Sequence, residues 1–172
     1  VVDRLSDEAE HAFDVLLASL DFPMFIATTA AADDRERSGC LMGFATQSSI
    51  HPPHFLACIS IENHTARVAT RAEHLAVHLI PRERTDMAVL FGQETGDDVD
   101  KFADCRWTPG PGGVPLLDAC PTRFVGRILE RVPLGDHTGY VLEPIAVQGS
   151  ATAVAGYLRF QEVRDLDPGH PA

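Results

Sequence analysis

The chain has 172 residues, long enough for one domain with a sizeable core and short for two. Hydrophobic residues make up 45% of it and charged residues 23%, the balance of an ordinary soluble globular protein, and a formal net charge of −11 works against nucleic acid and anionic membranes as partners. No apolar run reaches bilayer length, and the opening VVDRLSDEAEHAF has neither a basic leader nor an apolar signal core, so the expected address is the cytoplasm.

Ser6 followed by Asp7 and Glu8 marks a helix start, because the hydroxyl can cap free N–H groups and the acids suit the positive end of the helix dipole. Ala9, Phe13, Leu16, Leu17 and Leu20 recur at helical spacing and Pro23 ends the pattern. The stretch PMFIATTA (23–30) reads as a strand, the charged AADDRERSG as a solvated hairpin loop, and CLMGFATQSSI (40–50) as a second strand stopped by Pro52-Pro53. FLACISI (55–61) is a third strand. Asn63 or Thr65 caps a short helix through ARVATRA, and EHLAVHLI (73–80) alternates as a fourth strand. RERTDMAVLFG predicts a helix ending at Gly92, and DDVDKFADC a brief one with an acidic first turn. After WTPGPGGVP come two long arms, RFVGRILERV and TGYVLEPIAVQ, then GYLRFQEV as a last short strand and DLDPGHPA as a frayed tail. Many β segments with few helices and no repeated βαβ unit point to a barrel.

Several chemical signals have plainer explanations. Cys40, Cys58, Cys105 and Cys120 stand singly, without a C-x-x-C pair, which argues against a zinc ribbon and a disulfide framework. His74 and His78 lie too far apart along a strand for easy joint ligation, His51 and His54 flank the diproline, and no third ligand follows at metal spacing, so no metal is expected. PGPGGVP lacks the strand before and helix after that a phosphate cradle needs, and reads as a loop. Ser48, Ser49 and Ser60 sit in no G-x-S-x-G elbow, and a hydroxyl without a placed base is inert.

More informative is GFATQSSI followed by HPPHFLACISIENHT. A strand end with Thr46, Gln47, Ser48 and Ser49 offers neutral hydroxyls and backbone amides, and Asn63, His64 and Thr65 offer more at a helix start. That set suits a ligand with a planar ring and a phosphate tail, while Thr and Ser ending strands and Asn capping a helix account for the same letters. A third element is the hairpin tip GDH, Gly135 to His137, where a turn would need no imidazole.

Together, GFATQSSIHPPHFLACIS, the ENHT loop, DKF at Asp100 to Phe102, the GDH tip and GYLRF resemble the flavin reductase family of FMN-binding split-barrel proteins, reductase components of two-component monooxygenases, over about residues 21–160. The resemblance implies a mainly β fold with peripheral helices, a six-stranded Greek-key split β-barrel; the chain then reads as a single FMN-binding domain over 1–172, to which the residues outside the resemblance add an N-terminal helix at 1–20 and a flexible tail at 165–172. It implies a homodimer with FMN or FAD near the subunit interface and NADH or NADPH as co-substrate. Thr46, Gln47, Ser48 and Ser49 then hold the isoalloxazine ring, Ser60, Asn63, His64 and Thr65 meet the ribityl chain and phosphate, and His137, with Asp136 beside it, seats the nicotinamide. The IENHT loop and His78 differ from the commoner family pattern at positions that bear on phosphate contacts.

The expected activity is an NAD(P)H:flavin oxidoreductase that supplies reduced flavin to a partner monooxygenase. A flavin-binding carrier or sensor without nicotinamide turnover, and a deazaflavin-using split-barrel oxidoreductase, are the alternatives. Hydride transfer between nicotinamide and flavin needs no acid or nucleophile from the protein, so the reading assigns no catalytic side chain and asks the fold to align two ring faces.

Overall fold

The computed structural model describes residues 6–149, 156–167 and 169. Helix α1 (Asp7–Ala18) begins where the sequence places it, with the Ser6 hydroxyl accepting from the Ala9 N–H at 3.3 Å. None of its side chains is buried, and Phe13, Leu16 and Leu20 stay exposed. Seven strands then form one antiparallel sheet: β1 (Phe25–Ala30), β2 (Arg37–Met42), β3 (Ala45–Ser49), β4 (His54–Ser60), β5 (His74–Leu79), and, after a small hairpin of β6 (Trp107–Pro109) and β7 (Pro115–Leu117), the long arms β8 (Arg123–Leu134) and β9 (His137–Gln148). The order across the sheet is β2-β1-β5-β8-β9-β4-β3.

That order corrects the reading of residues 40–50 as one strand. The chain bends at Gly43 and Phe44, so the first part pairs with β1 at one edge and the second with β4 at the other. Alternation of side chains continues through such a bend, which is why the letters do not reveal it. Breaking this segment puts seven strands in the main sheet, compatible with the six-stranded split barrel expected, and the sheet does not close on itself.

Two shorter expectations also change. DDVDKFADC folds as successive turns, because the Asp100 carboxylate accepts from the Phe102 N–H at 3.1 Å, a local bond that competes with a helix. GYLRFQEV forms single bridges, Pro81 with Tyr157 and Pro23 with Arg159, followed by a 3-10 turn at Phe160–Glu162; a proline partner has no N–H with which to extend a ladder. PGPGGVP carries a 3-10 turn, Pro111–Gly113, inside the β6–β7 hairpin. Of the expected tail at 165–172, Leu166 packs on the core, while 168 and 170–172 lie outside the described residues.

Every residue of β1 is buried, since both faces of that strand are covered. Phe25 and Ala27 join Leu75, Val77, Tyr140 and Leu142 in a core under α2 (His64–Ala69), inside the curl of the sheet. Ile26 points the other way, onto Met87, Ala88 and Phe91 of α3 (Thr85–Gly92) with Phe102 and Leu158.

Several polar groups inside these layers are paired. Thr28 donates to the Pro115 carbonyl at 2.6 Å and Thr29 to the His74 carbonyl at 2.8 Å. His78, fully buried, donates from Nδ1 to the Ile26 carbonyl at 3.1 Å and accepts at Nε2 from the Leu117 N–H at 3.2 Å, tying β5 to β1 and to the β6–β7 hairpin. Only the neutral ring fits both bonds, and burial pushes its pKa down to about 3.

The sign of the pH dependence follows from that depressed value. The unfolded chain binds a proton at this site below about 6.5 that the folded chain refuses until about 3, so the stabilisation is complete above 6.5 and is lost as pH falls through this window. Thermal unfolding of the wild type is expected to lose stability across that window more steeply than His78→Gln, which keeps an amide donor and acceptor but does not titrate; equal slopes would refute the assignment.

Candidate functional site

The site begins with the β8–β9 turn. Leu134 pairs with His137 across a two-residue loop, Gly135 and Asp136, and Gly135 supplies the positive φ of 73° that so short a hairpin needs. His137 is therefore the first residue of β9 rather than part of a free tip. Pairing of β9 with β4 sets it opposite Ser60, and the Ile61 N–H donates to the Asp136 carbonyl at 3.0 Å. Asp136 accepts from His137 Nδ1 at 2.7 Å, which leaves Nε2 as the ring nitrogen available to a ligand. The same bond holds the Asp136 carboxyl below the usual carboxylate range.

A cavity of about 180 Å³ opens where the bent segment crosses β4, lined by Cys40 to Phe44, Cys58, Ile59, Ser60, Asn63 and His137. Its walls combine apolar side chains with polar groups that come from separate stretches of chain. Asn63 accepts from the Thr65 N–H at 2.9 Å through its side-chain oxygen, capping α2, and this use of the oxygen leaves its amide N–H₂ able to donate elsewhere. Burial raises the thiol pKa values of Cys40, to about 11, and of Cys58, so both stay protonated and serve as wall.

Thr65 is wholly enclosed. Its hydroxyl meets Ser38 Oγ at 2.9 Å, Ser38 meets His64 Nδ1 at 3.0 Å, and His64 Nε2 meets the Glu36 carboxylate at 3.0 Å. Donation from His64 Nε2 to the carboxylate makes Nδ1 the acceptor for Ser38, which in turn accepts from Thr65. Glu36 is also bonded by Arg71, which reaches Asp33 and Asp34 as well. His64 thus faces a second, larger cleft of about 410 Å³ between β2 and the 96–102 turns, where the buried Lys101 ammonium donates to the Gly39 and Phe91 carbonyls, each at 3.2 Å. Burial lowers the Lys101 pKa.

Of the residues singled out in the sequence, Ser60, Asn63 and His137 meet in one cavity, with Asp136 attached through the imidazole. His64 lines the adjoining cleft. Thr46, Gln47 and Ser48 lie exposed on the edge strand β3, with Ser49 half-buried behind a bulge, and line neither space. Reading by segments missed Ser38 and Phe44. The signal for Phe44 was a bulky ring after a glycine, in a stretch that otherwise turns polar.

A family model described as "Flavin reductase like domain" matches residues 17–164. The FMN reductase (NADH) RutF of Bradyrhizobium diazoefficiens is 26% identical over 145 residues, 84% of this chain and 79% of that protein; further relatives of that name are matched over about half their length. Among solved structures, an NADH:FAD oxidoreductase from Streptomyces globisporus superposes with a TM-score of 0.76 at 18% identity, covering 92% of this chain and 91% of that one. A nitrilotriacetate monooxygenase component B homologue from Mycobacterium thermoresistibile does so with a TM-score of 0.74 at 16% identity, covering 96% and 93%. At such identities these two structures establish the fold. The open antiparallel sheet, the GDH turn set against Ser60 and the family match over most of its length agree: the chain belongs to the flavin reductase like domain family.

Proposed function

We propose that this protein is an NADH-dependent flavin reductase that moves a hydride from nicotinamide to FMN or FAD and passes the reduced flavin to a separate monooxygenase. The observation that carries the reading is the convergence of Ser60, Asn63 and His137 on one cavity beside the strand that holds Thr46 to Ser49. Relatives named FMN reductase (NADH) and NADH:FAD oxidoreductase support the donor and acceptor, and the monooxygenase component B homologue supports the destination.

The residues fit a flat ring with polar edges. Met42 and Ile59 give apolar contact, while Ser60 and Asn63 offer directed hydrogen bonds. β3 is an edge strand, so alternate N–H groups of Thr46 to Ser49 turn away from β4 and can donate to an electron-rich ring edge. Ser60, Asn63 and His64 are assigned to the ribityl chain and phosphate, and Thr65 supports them through Ser38 and the Asn63 cap. A bound flavin supplies the hydride acceptor, and no proton need leave a side chain during transfer. His137, its Nδ1 committed to Asp136, accepts at Nε2 from the nicotinamide carboxamide.

The reading includes a homodimer and a cytoplasmic setting. The uncovered apolar side of α1, with Phe13, Leu16 and Leu20 exposed, supports a second subunit, and four free thiols suit a reducing compartment.

Anaerobic addition of NADH to the purified protein with FMN or FAD is expected to bleach the flavin's visible absorbance, with no NADH oxidised when flavin is omitted. Flavin that binds but never bleaches would replace this reading with a carrier or sensor. His137→Ala is expected to raise the KM for NADH roughly tenfold, the worth of one directed hydrogen bond, with flavin affinity retained. Steady-state kinetics with unchanged nicotinamide constants would remove that role.

A further inference from the structure

Phe44 occupies the two-residue bend between the opposite edges of the sheet, and the residue is 59% exposed although it lines the cavity. The backbone beneath it is anchored: the Cys58 N–H donates to the Phe44 carbonyl at 2.9 Å and the Ala45 N–H to the Gly43 carbonyl at 3.1 Å. The ring centroid lies 5.1 Å from that of His137, with the planes inclined at 46°. Asp136 restrains the imidazole from its other side. Two rings from distant parts of the chain therefore form an open wedge at the cavity mouth. The larger cleft is a weaker candidate, because Asp34, Glu36 and Asp97 on its wall already pair with Arg71 and Arg67.

Resting on the flavin reductase reading, we propose that Phe44 is a nicotinamide-binding residue that completes a wedge with His137 and favours the oxidised ring. His137 offers a directed bond to the carboxamide, and Phe44 offers only an apolar π face, which suits the ring itself. When the dihydronicotinamide gives up one hydrogen with its bonding electron pair to the flavin, it becomes a pyridinium carrying a positive charge. The negative face of an aromatic ring attracts that charge as it develops, whereas an aliphatic side chain of similar size does not. Phe44 thereby binds the product cation and the transition state that resembles it more strongly than the neutral donor.

Phe44→Leu keeps apolar bulk and removes the π face, while Phe44→Trp restores one. Both sit at an exposed position, and unchanged melting temperatures are expected to show intact folding. For Phe44→Leu, product inhibition by NAD⁺ is expected to weaken about three- to tenfold and hydride transfer in single turnover to slow by a similar factor. The flavin dissociation constant stays at the wild-type value and Phe44→Trp returns both nicotinamide quantities toward it. A shift in flavin affinity instead, or no change in NAD⁺ inhibition, overturns the assignment while leaving the reductase reading intact. A wild-type protein that oxidises no NADH with either flavin overturns both.

Discussion

Two residues hold the architecture together. Gly43 and Phe44 alone connect Met42, at one edge of a seven-stranded sheet, to Ala45, at the other. Three Cα steps cover at most roughly 11 Å, far less than the width of seven strands laid flat at about 4.8 Å spacing. The sheet must curl until its edges approach, and the curl encloses the core of Phe25, Leu75, Val77, Tyr140 and Leu142. At the seam the edges come close without sharing a ladder, and there the cavity opens. The connection that forces the curl also lines its opening.

β1 and β5 are covered on both sides, which explains their composition. Hydrophobic residues share these strands with Thr28, Thr29 and His78, whose polar atoms reach carbonyl or N–H partners in neighbouring strands and hairpins. Such groups add little net stability when paired but cost several kcal/mol each if left without partners, so they penalise incorrect register. His78 is an example of a histidine held neutral for structure, in contrast to His137, whose ring borders the cavity.

The division of charge supports the functional reading. Many ionised groups near the site belong to the solvated network of Glu36, Arg71, Asp33 and Asp34, whereas the seam cavity presents hydroxyl, amide and imidazole groups beside apolar side chains. A reaction in which the cofactor and co-substrate carry the electronic change calls for alignment and exclusion of water rather than a strong acid or nucleophile.

The chain's letters alone settled the helix cap at Ser6, the strand after the diproline, the long arms and their glycine turn, since each depends on neighbours within a few residues. They also carried the family resemblance through GFATQSSIHPPH, ENHT and GDH. Tertiary structure decided the rest: the break at Gly43 and Phe44, the enclosure of Thr65, the outward position of Thr46 to Ser48, and the meeting of Ser60 with Asn63 and His137. Those outcomes depend on which strand lies beside which after the sheet has curled, and side-chain alternation within a strand is the same whichever neighbour it acquires.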